Sequence, residues 1–325
     1  LKNVAVALSA LMLASTPAVG GQAQDAGAPP AAAAPQDDAT TLDDVVVLAR
    51  RSGAPMWTVT RGGSTLILVG AIGRIPRDVT WRPDDLQAAA ERSTLILTPQ
   101  EGRASMSDVF RIIWRARTIG QMPRGQTTAD YLSPDYQARL EAVMAGERNQ
   151  GWRTNSLLFL SFDLMKDKAG YGKGREGEDA TDVIRRAGRR ARVTMRPVGT
   201  VRGDEIVESL ISAPQTTHVP CAEAAIAAAE YGPDSSRDRA EDWRALRVAD
   251  VVASPIDRAL SVCWPWADPE IGSRLHQQWA AAIETAMVSP GVTMGVAPIR
   301  LLAEEDGVLD GLEARGFEVE GPAWR

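Results

Sequence analysis

Apolar and polar residues fall along the chain in runs with two different periods. Leu66, Ile67, Leu68 and Val69 form a short, continuous, β-prone run that reads as a buried strand. Pro76 and Pro83 break the chain after this strand. Pro83, Asp84 and Asp85 then open a helix with Leu86, Ala89 and Ala90 on one face and carboxylates at its favourable amino end. Thr94, Leu95, Ile96 and Leu97 come next as a second strand. Strand, loop, helix, strand is a βαβ unit, so its crossover is expected to be right-handed and its strands parallel.

The chain closes on the same plan. Residues 292–297 read as a strand, 298–301 as a turn, 306–315 as a helix and 316–319 as a last strand, with Gly316 at the helix stop. Both turns belong at strand carboxyl ends, where open α/β sheets build their sites. Between the two units the spacing is helical at 107–117, 133–145, 156–168, 179–190, 222–230, 237–250 and 271–287, with a candidate strand near 193–195. The expected class is therefore α/β. A central parallel or mixed sheet is formed from the amino- and carboxy-terminal βαβ-like units, with a large helical insert at about 105–288.

The first residues change the picture. Lys2 precedes an apolar run at 4–14, then Pro17 and small residues, which reads as an export signal over 1–23; an uncleaved anchor is the alternative, on a run short for a bilayer. Residues 24–41, rich in Ala, Pro, Gln and Asp, read as a disordered linker, and 42–325 as the folded part. No later stretch is apolar enough to span a membrane, so a periplasmic or secreted location is expected. With 36 basic against 42 acidic residues, the net charge of -6 argues against general nucleic-acid binding. The basic run from Arg185 to Arg192 reads as a solvated helix face, with an anionic partner as the alternative. Cys221 and Cys263 are expected to pair in an oxidising compartment. A catalytic thiol is disfavoured, because only His218 and His276 are available to activate one.

One block carries a family resemblance. Trp57, Gly63, Ser64, Thr65, Leu68, Val69 and Gly70, then Pro76, Asp85, Leu86, Ala89, Ser93, Leu95, Ile96 and Leu97, agree in order and spacing with the amino-terminal signature of the TraB/GumN family, which the block resembles. The family's TIKI-like relatives are metal-dependent peptidases. The resemblance spans most of 55–320. It implies an apolar strand ending in Gly-x-x-His, a second strand ending in an acid, a central Glu-Arg-Asn motif, and a second Gly-x-x-His before the last helix. Here Gly73 stands at the first His position, Thr98 at the acid, and Leu301 at the second His, or Arg300 if the register moves by one. The central motif is represented by Arg274, His276 and Trp279. A hydrolytic metal needs two or three imidazole or carboxylate donors and an open position for water, and Gly73, Thr98 and Leu301 or Arg300 supply none of the imidazoles or the acid.

The reading is a divergent member lacking both histidines, a pseudoenzyme without a metal cofactor. Its role would be binding or scaffolding in the cell envelope, with a peptide or envelope component in the old cleft. Arg300, His276 and Trp279 are the binding candidates. Arg300 suits bidentate capture of a carboxylate or phosphate, with an ion pair to Glu304 or Glu305 as the plainer alternative. Trp264 and Trp266 read either as an aromatic surface or as packing over the disulfide. The rival is an active hydrolase that recruits His276, Glu304 and Asp306 to hold manganese, cobalt or zinc.

Overall fold

The computed structural model describes residues 42–325 apart from Ala104, Arg175 and Ser289. The export signal and linker expected at 1–41 lie outside the described residues.

Helix α1 (Leu42–Arg51) leads into a hairpin of β1 (Met56–Arg61) and β2 (Ser64–Ala71), in register from Met56 opposite Val69 to Arg61 opposite Ser64. Gly62 takes a φ of 58° in the two-residue turn, a conformation that glycine adopts without steric cost. Every residue of β2 is buried, which explains its unbroken apolar run, and each large aliphatic side chain there contributes roughly 1.5–3 kcal/mol. Helix α2 (Pro83–Glu91) starts on a proline and buries Leu86, Ala89 and Ala90. Then come β3 (Leu95–Thr98), β4 (Glu101–Arg103) and α3 (Met106–Gly120), which opens on a capping box between Ser105 and Asp108.

The middle of the chain continues with α4 (Pro134–Val143), α5 (Leu157–Asp167) and α6 (Ala180–Ala191). Ser133, Ser156 and Asp179 cap these three helices by accepting from backbone N–H groups of their first turns. Two short strands come after them, β5 (Thr194–Pro197) and β6 (Thr200–Arg202). Helices α7 (Gly203–Ser212), α8 (Val219–Tyr231), α9 (Ser235–Arg244), α10 (Val248–Ala253), α11 (Pro255–Val262) and α12 (Pro269–Ala286) come next. The chain ends with β7 (Gly291–Pro298), α13 (Ile299–Ala303), α14 (Val308–Ala314) and β8 (Val319–Glu320).

Six strands form one mixed sheet in the order β5-β3-β7-β2-β1-β8, and β4 pairs with β6 in a separate ribbon. β7 runs parallel to β2 on one side and to β3 on the other, and β3 runs parallel to β5. β1 is antiparallel to both β2 and β8. The fold is thus α/β with a mixed sheet. The two terminal units interleave rather than stand side by side: β7 fills the gap that the first crossover leaves between β2 and β3.

Several local expectations need correction. The helix expected at 237–250 is two helices, broken where Leu246 takes a φ of 60°. The turn expected at 298–301 is mostly the start of α13. Within 105–288 the strand expected near 193–195 is present as β5, which joins the main sheet, while β6, which builds the ribbon, is not anticipated. The expected elements do not include the hairpin strand β1 or helices α1, α7 and α11.

Among the described residues two large apolar cores and two small clusters result. One large core lies on the sheet and includes Trp57, Trp243 and Trp279; the other is helical, around α5 and α8. Cys221 on α8 and Cys263 after α11 are disulfide-bonded inside the helical core. Among the described residues no helix is long and apolar enough to cross a membrane.

Candidate functional site

The carboxyl ends of β2, β3 and β7 lie next to one another, and the family-signature positions sit there. β2 runs out into Gly70, Ala71, Ile72 and Gly73. A Cβ on Gly70 would stand 2.9 Å from Ile299 Cγ1 and 3.1 Å from Trp57 Cζ3, so this glycine is imposed by close packing. Nothing comparable restricts Gly73, whose nearest neighbour for a Cβ is the Tyr171 hydroxyl at 3.9 Å.

Helix α9 holds this turn in place. Arg239 and Trp243 are four residues apart and therefore share a helix face. Trp243 Nε1 donates to the carbonyl oxygen of Gly70 at 2.7 Å, and Arg239 Nη1 donates to that of Gly73 at 3.2 Å. Arg239 also forms a buried ion pair through Nε with Asp257 on α11. Asp257 sits in the first turn of that helix, where its N–H donates to the capping Ser254 hydroxyl at 3.2 Å. Burial works against the Arg239 charge, but attraction to and hydrogen bonding with Asp257 outweigh it, and the pKa rises. The Tyr171 ring lies under the same guanidinium, 5.9 Å from its carbon, and burial raises the phenol pKa. Next to Gly73, Arg74 has a φ of 64° and pairs with Glu176 at 2.7 Å.

Arg300 stands on the other side of the mouth, two residues beyond β7. It is only 5% exposed, its guanidinium carbon lies 4.7 Å from the centre of the Trp266 ring, and its Nη1 has no hydrogen-bond partner. Among the described residues no carboxylate lies within 4.0 Å of it, so the expected ion pair with Glu304 or Glu305 is absent. Glu304 instead meets His276, with Oε1 at 2.9 Å from Nε2. Burial lowers the Arg300 pKa, and attraction from Asp257 and Glu304 offsets part of that. The guanidinium still carries its charge at neutral pH.

The structure separates the residues singled out in the sequence. Gly73, Arg300, His276 and Glu304 belong to one polar seam across the strand ends, completed by Arg239, Asp257 and Tyr171. Leu301 is buried in the sheet core, so of the two register choices Arg300 is the residue with a polar head at the mouth. Trp279 is also wholly buried, packed against Gly295, where a Cβ would stand 3.3 Å from its ring. It offers no surface to a ligand. Thr98 closes β3, buried, and its carbonyl accepts from Val198 N–H at 3.0 Å. Trp266 covers Arg300, while Trp264 packs on the helical core beside the disulfide and donates to Ser209 Oγ at 3.3 Å.

These residues do not fit a metal of the kind that the resemblance implies. At the positions that the resemblance assigns to ligands stand Gly73, the buried Thr98 and, in one register or the other, the buried Leu301 or the Arg300 guanidinium. Among the described residues, no three His, Cys, Asp or Glu side chains converge on one point. His276 and Glu304 of the rival ligand set do meet, but among the described residues they gather no third donor.

Arg239, Asp257, Tyr171 and Trp243 escape a reading of the sequence because they come from the insert, far from any signature. The only local signal is the four-residue spacing of Arg239 and Trp243, which any helix face can show.

The profile of the TraB/PrgY/gumN family matches residues 55–321. No curated protein and no solved structure has significant similarity to the chain. The match covers both terminal units and everything between them, strand ends included, and the chain belongs to the TraB/PrgY/gumN family.

Proposed function

We propose that this protein is an exported, non-catalytic member of its family that binds an acidic ligand of the cell envelope in the cleft at the strand ends. One observation carries the reading: Arg300, buried and without a carboxylate partner, keeps an unsatisfied Nη1 at the mouth of the sheet. A buried donor left unpaired costs about 1–3 kcal/mol, more when charged, and a ligand carboxylate accepting from it would remove that cost. Trp266 supplies an aromatic face against the same guanidinium, so a peptide ending in a free carboxylate suits the chemistry. Export is supported by the Cys221–Cys263 disulfide, since such bonds persist in oxidising compartments.

Calorimetric titration with short peptides, each as the free acid and as the amide, tests this reading. Binding of the acid form alone, abolished in Arg300→Met, is the expected result. Equal binding of acid and amide, or unchanged binding by Arg300→Met, would overturn it.

A second reading has its own observation. His276 and Glu304 are in hydrogen-bond contact, with the His side chain partly open to solvent, and such a pair suits a general base or two metal ligands. Peptide cleavage that stops on adding a chelator and in His276→Ala would favour an active hydrolase with replacement ligands.

A further inference from the structure

Helix α3 presents an apolar stripe to solvent. Met106, Phe110, Ile113 and Trp114, at helical spacings of four, seven and eight, are 71%, 66%, 59% and 87% exposed. On soluble chains large apolar residues surface singly, whereas here four occupy one face of one helix. The opposite side holds the helix to the protein: Asp108 and Ile119 are buried, and α7 is the neighbour it packs on.

Charge selects the occupant. The helix carries Arg111, Arg115 and Arg117 against a single acid, Asp108, whose carboxylate is engaged in the capping box. Arg111 pairs with Glu208 of α7. Arg115 and Arg117 are exposed, and among the described residues neither has a carboxylate within 4.0 Å. Arg115 lies off the stripe but lines a cleft beside Phe110 and Trp114, and Arg117 lies at the carboxyl end of the stripe. In a chain of net charge -6, this is a local basic surface beside a tryptophan and a phenylalanine. Long-range attraction to an anionic surface is therefore unavailable to the chain as a whole, and short-range contact through this helix must supply it. That open cleft between α3 and α7, of about 440 Å³ and lined by Phe110, Arg111, Trp114, Arg115, Glu208 and Ile211, continues the stripe, and its one acid, Glu208, is the partner of Arg111.

We infer that α3 is an interfacial helix that docks the protein on an anionic phospholipid surface. Phe110, Ile113 and Trp114 enter the boundary between headgroups and acyl chains, while Arg115 and Arg117 reach the phosphates. Helix α3 lies on the surface without spanning the bilayer. The inference does not depend on what the strand-end cleft binds.

Flotation of the full chain with vesicles tests it, comparing phosphatidylcholine alone with an equal mixture of phosphatidylcholine and phosphatidylglycerol. Co-flotation with the anionic vesicles only, weakened by salt, is expected. Phe110→Ser with Trp114→Ser should lower the partition coefficient at least about tenfold. Arg115→Gln with Arg117→Gln should lower it by roughly fivefold per arginine. Hydrogen exchange of the unaltered chain, with and without anionic vesicles, gives a reading independent of how the variants fold: protection is expected over 106–118. Flotation that the substitutions leave unchanged would overturn the inference, placing the lipid contact elsewhere, as in the apolar run at 4–14. So would absence of flotation, or self-association that the Phe110 and Trp114 substitutions dissolve without any vesicle binding.

Discussion

Arg239 on α9 donates to the carbonyl oxygen of Gly73 at 3.2 Å while its other edge holds Asp257 on α11. Through that one guanidinium the helical middle of the chain fixes the turn that follows β2. The ion pair is buried, so its net contribution to stability is small, but removing either partner alone leaves an uncompensated charge. Asp257→Ala is accordingly expected to lower unfolding stability by about 3–5 kcal/mol, and Arg239→Met with Asp257→Leu by much less. Urea midpoints at constant m-value measure both. A single variant as stable as the double would contradict this account of the pair.

The glycines of the turn differ in what they tolerate. Gly70→Ala forces a methyl group against Ile299 and Trp57 and should cost about 1–3 kcal/mol, whereas Gly73→Ala should fall within about 0.5 kcal/mol of the natural chain. Thermal denaturation of the two variants side by side shows the contrast. Gly73 therefore has room for a larger side chain.

Much of this is legible in the sequence, and the reasons are local. β2 and β3 show as apolar runs because the sheet buries both their faces, and α2 as a proline start with carboxylates in its first turn. β1 carries a local signal that the expected elements leave out: Trp57, Thr58, Val59 and Thr60 alternate apolar and polar side chains, and Gly62 and Gly63 mark the hairpin turn. The interleaving of β7 between β2 and β3 has no local signal, since strand order is decided by packing far along the chain. Gly73 and Arg300 can be found from the family frame. Arg239 and Asp257, eighteen residues apart on different helices, cannot, because a buried ion pair looks in sequence like two surface charges.

Reduction should weaken the helical core. The disulfide joins residues 42 apart, and replacing Cys221 and Cys263 by Ala is expected to lower stability by roughly 3–4 kcal/mol. Denaturation with and without a reductant should give the same difference in the natural chain and none in the variant.

His218 adds a pH dependence. Burial lowers its pKa below the ordinary value of about 6.5, so the native state prefers it neutral while the unfolded chain takes up a proton. Its contribution is complete above that ordinary value and is lost as pH falls towards the folded pKa, at up to about 1.4 kcal/mol per pH unit. His218→Gln should flatten the melting temperature between about pH 6.5 and 5. An unchanged slope would show that other groups set it.

The most direct test of the central claim is metal content. The purified chain would be incubated with manganese, cobalt or zinc, desalted extensively and analysed by elemental emission, beside a Gly73→His, Arg300→His variant. If Gly73 and Arg300 stand at the two imidazole positions, as proposed, the natural chain is predicted to emerge without stoichiometric metal and the variant to retain it. A natural chain that keeps one equivalent through desalting would contradict the account and turn attention to His276 and Glu304 as its ligands.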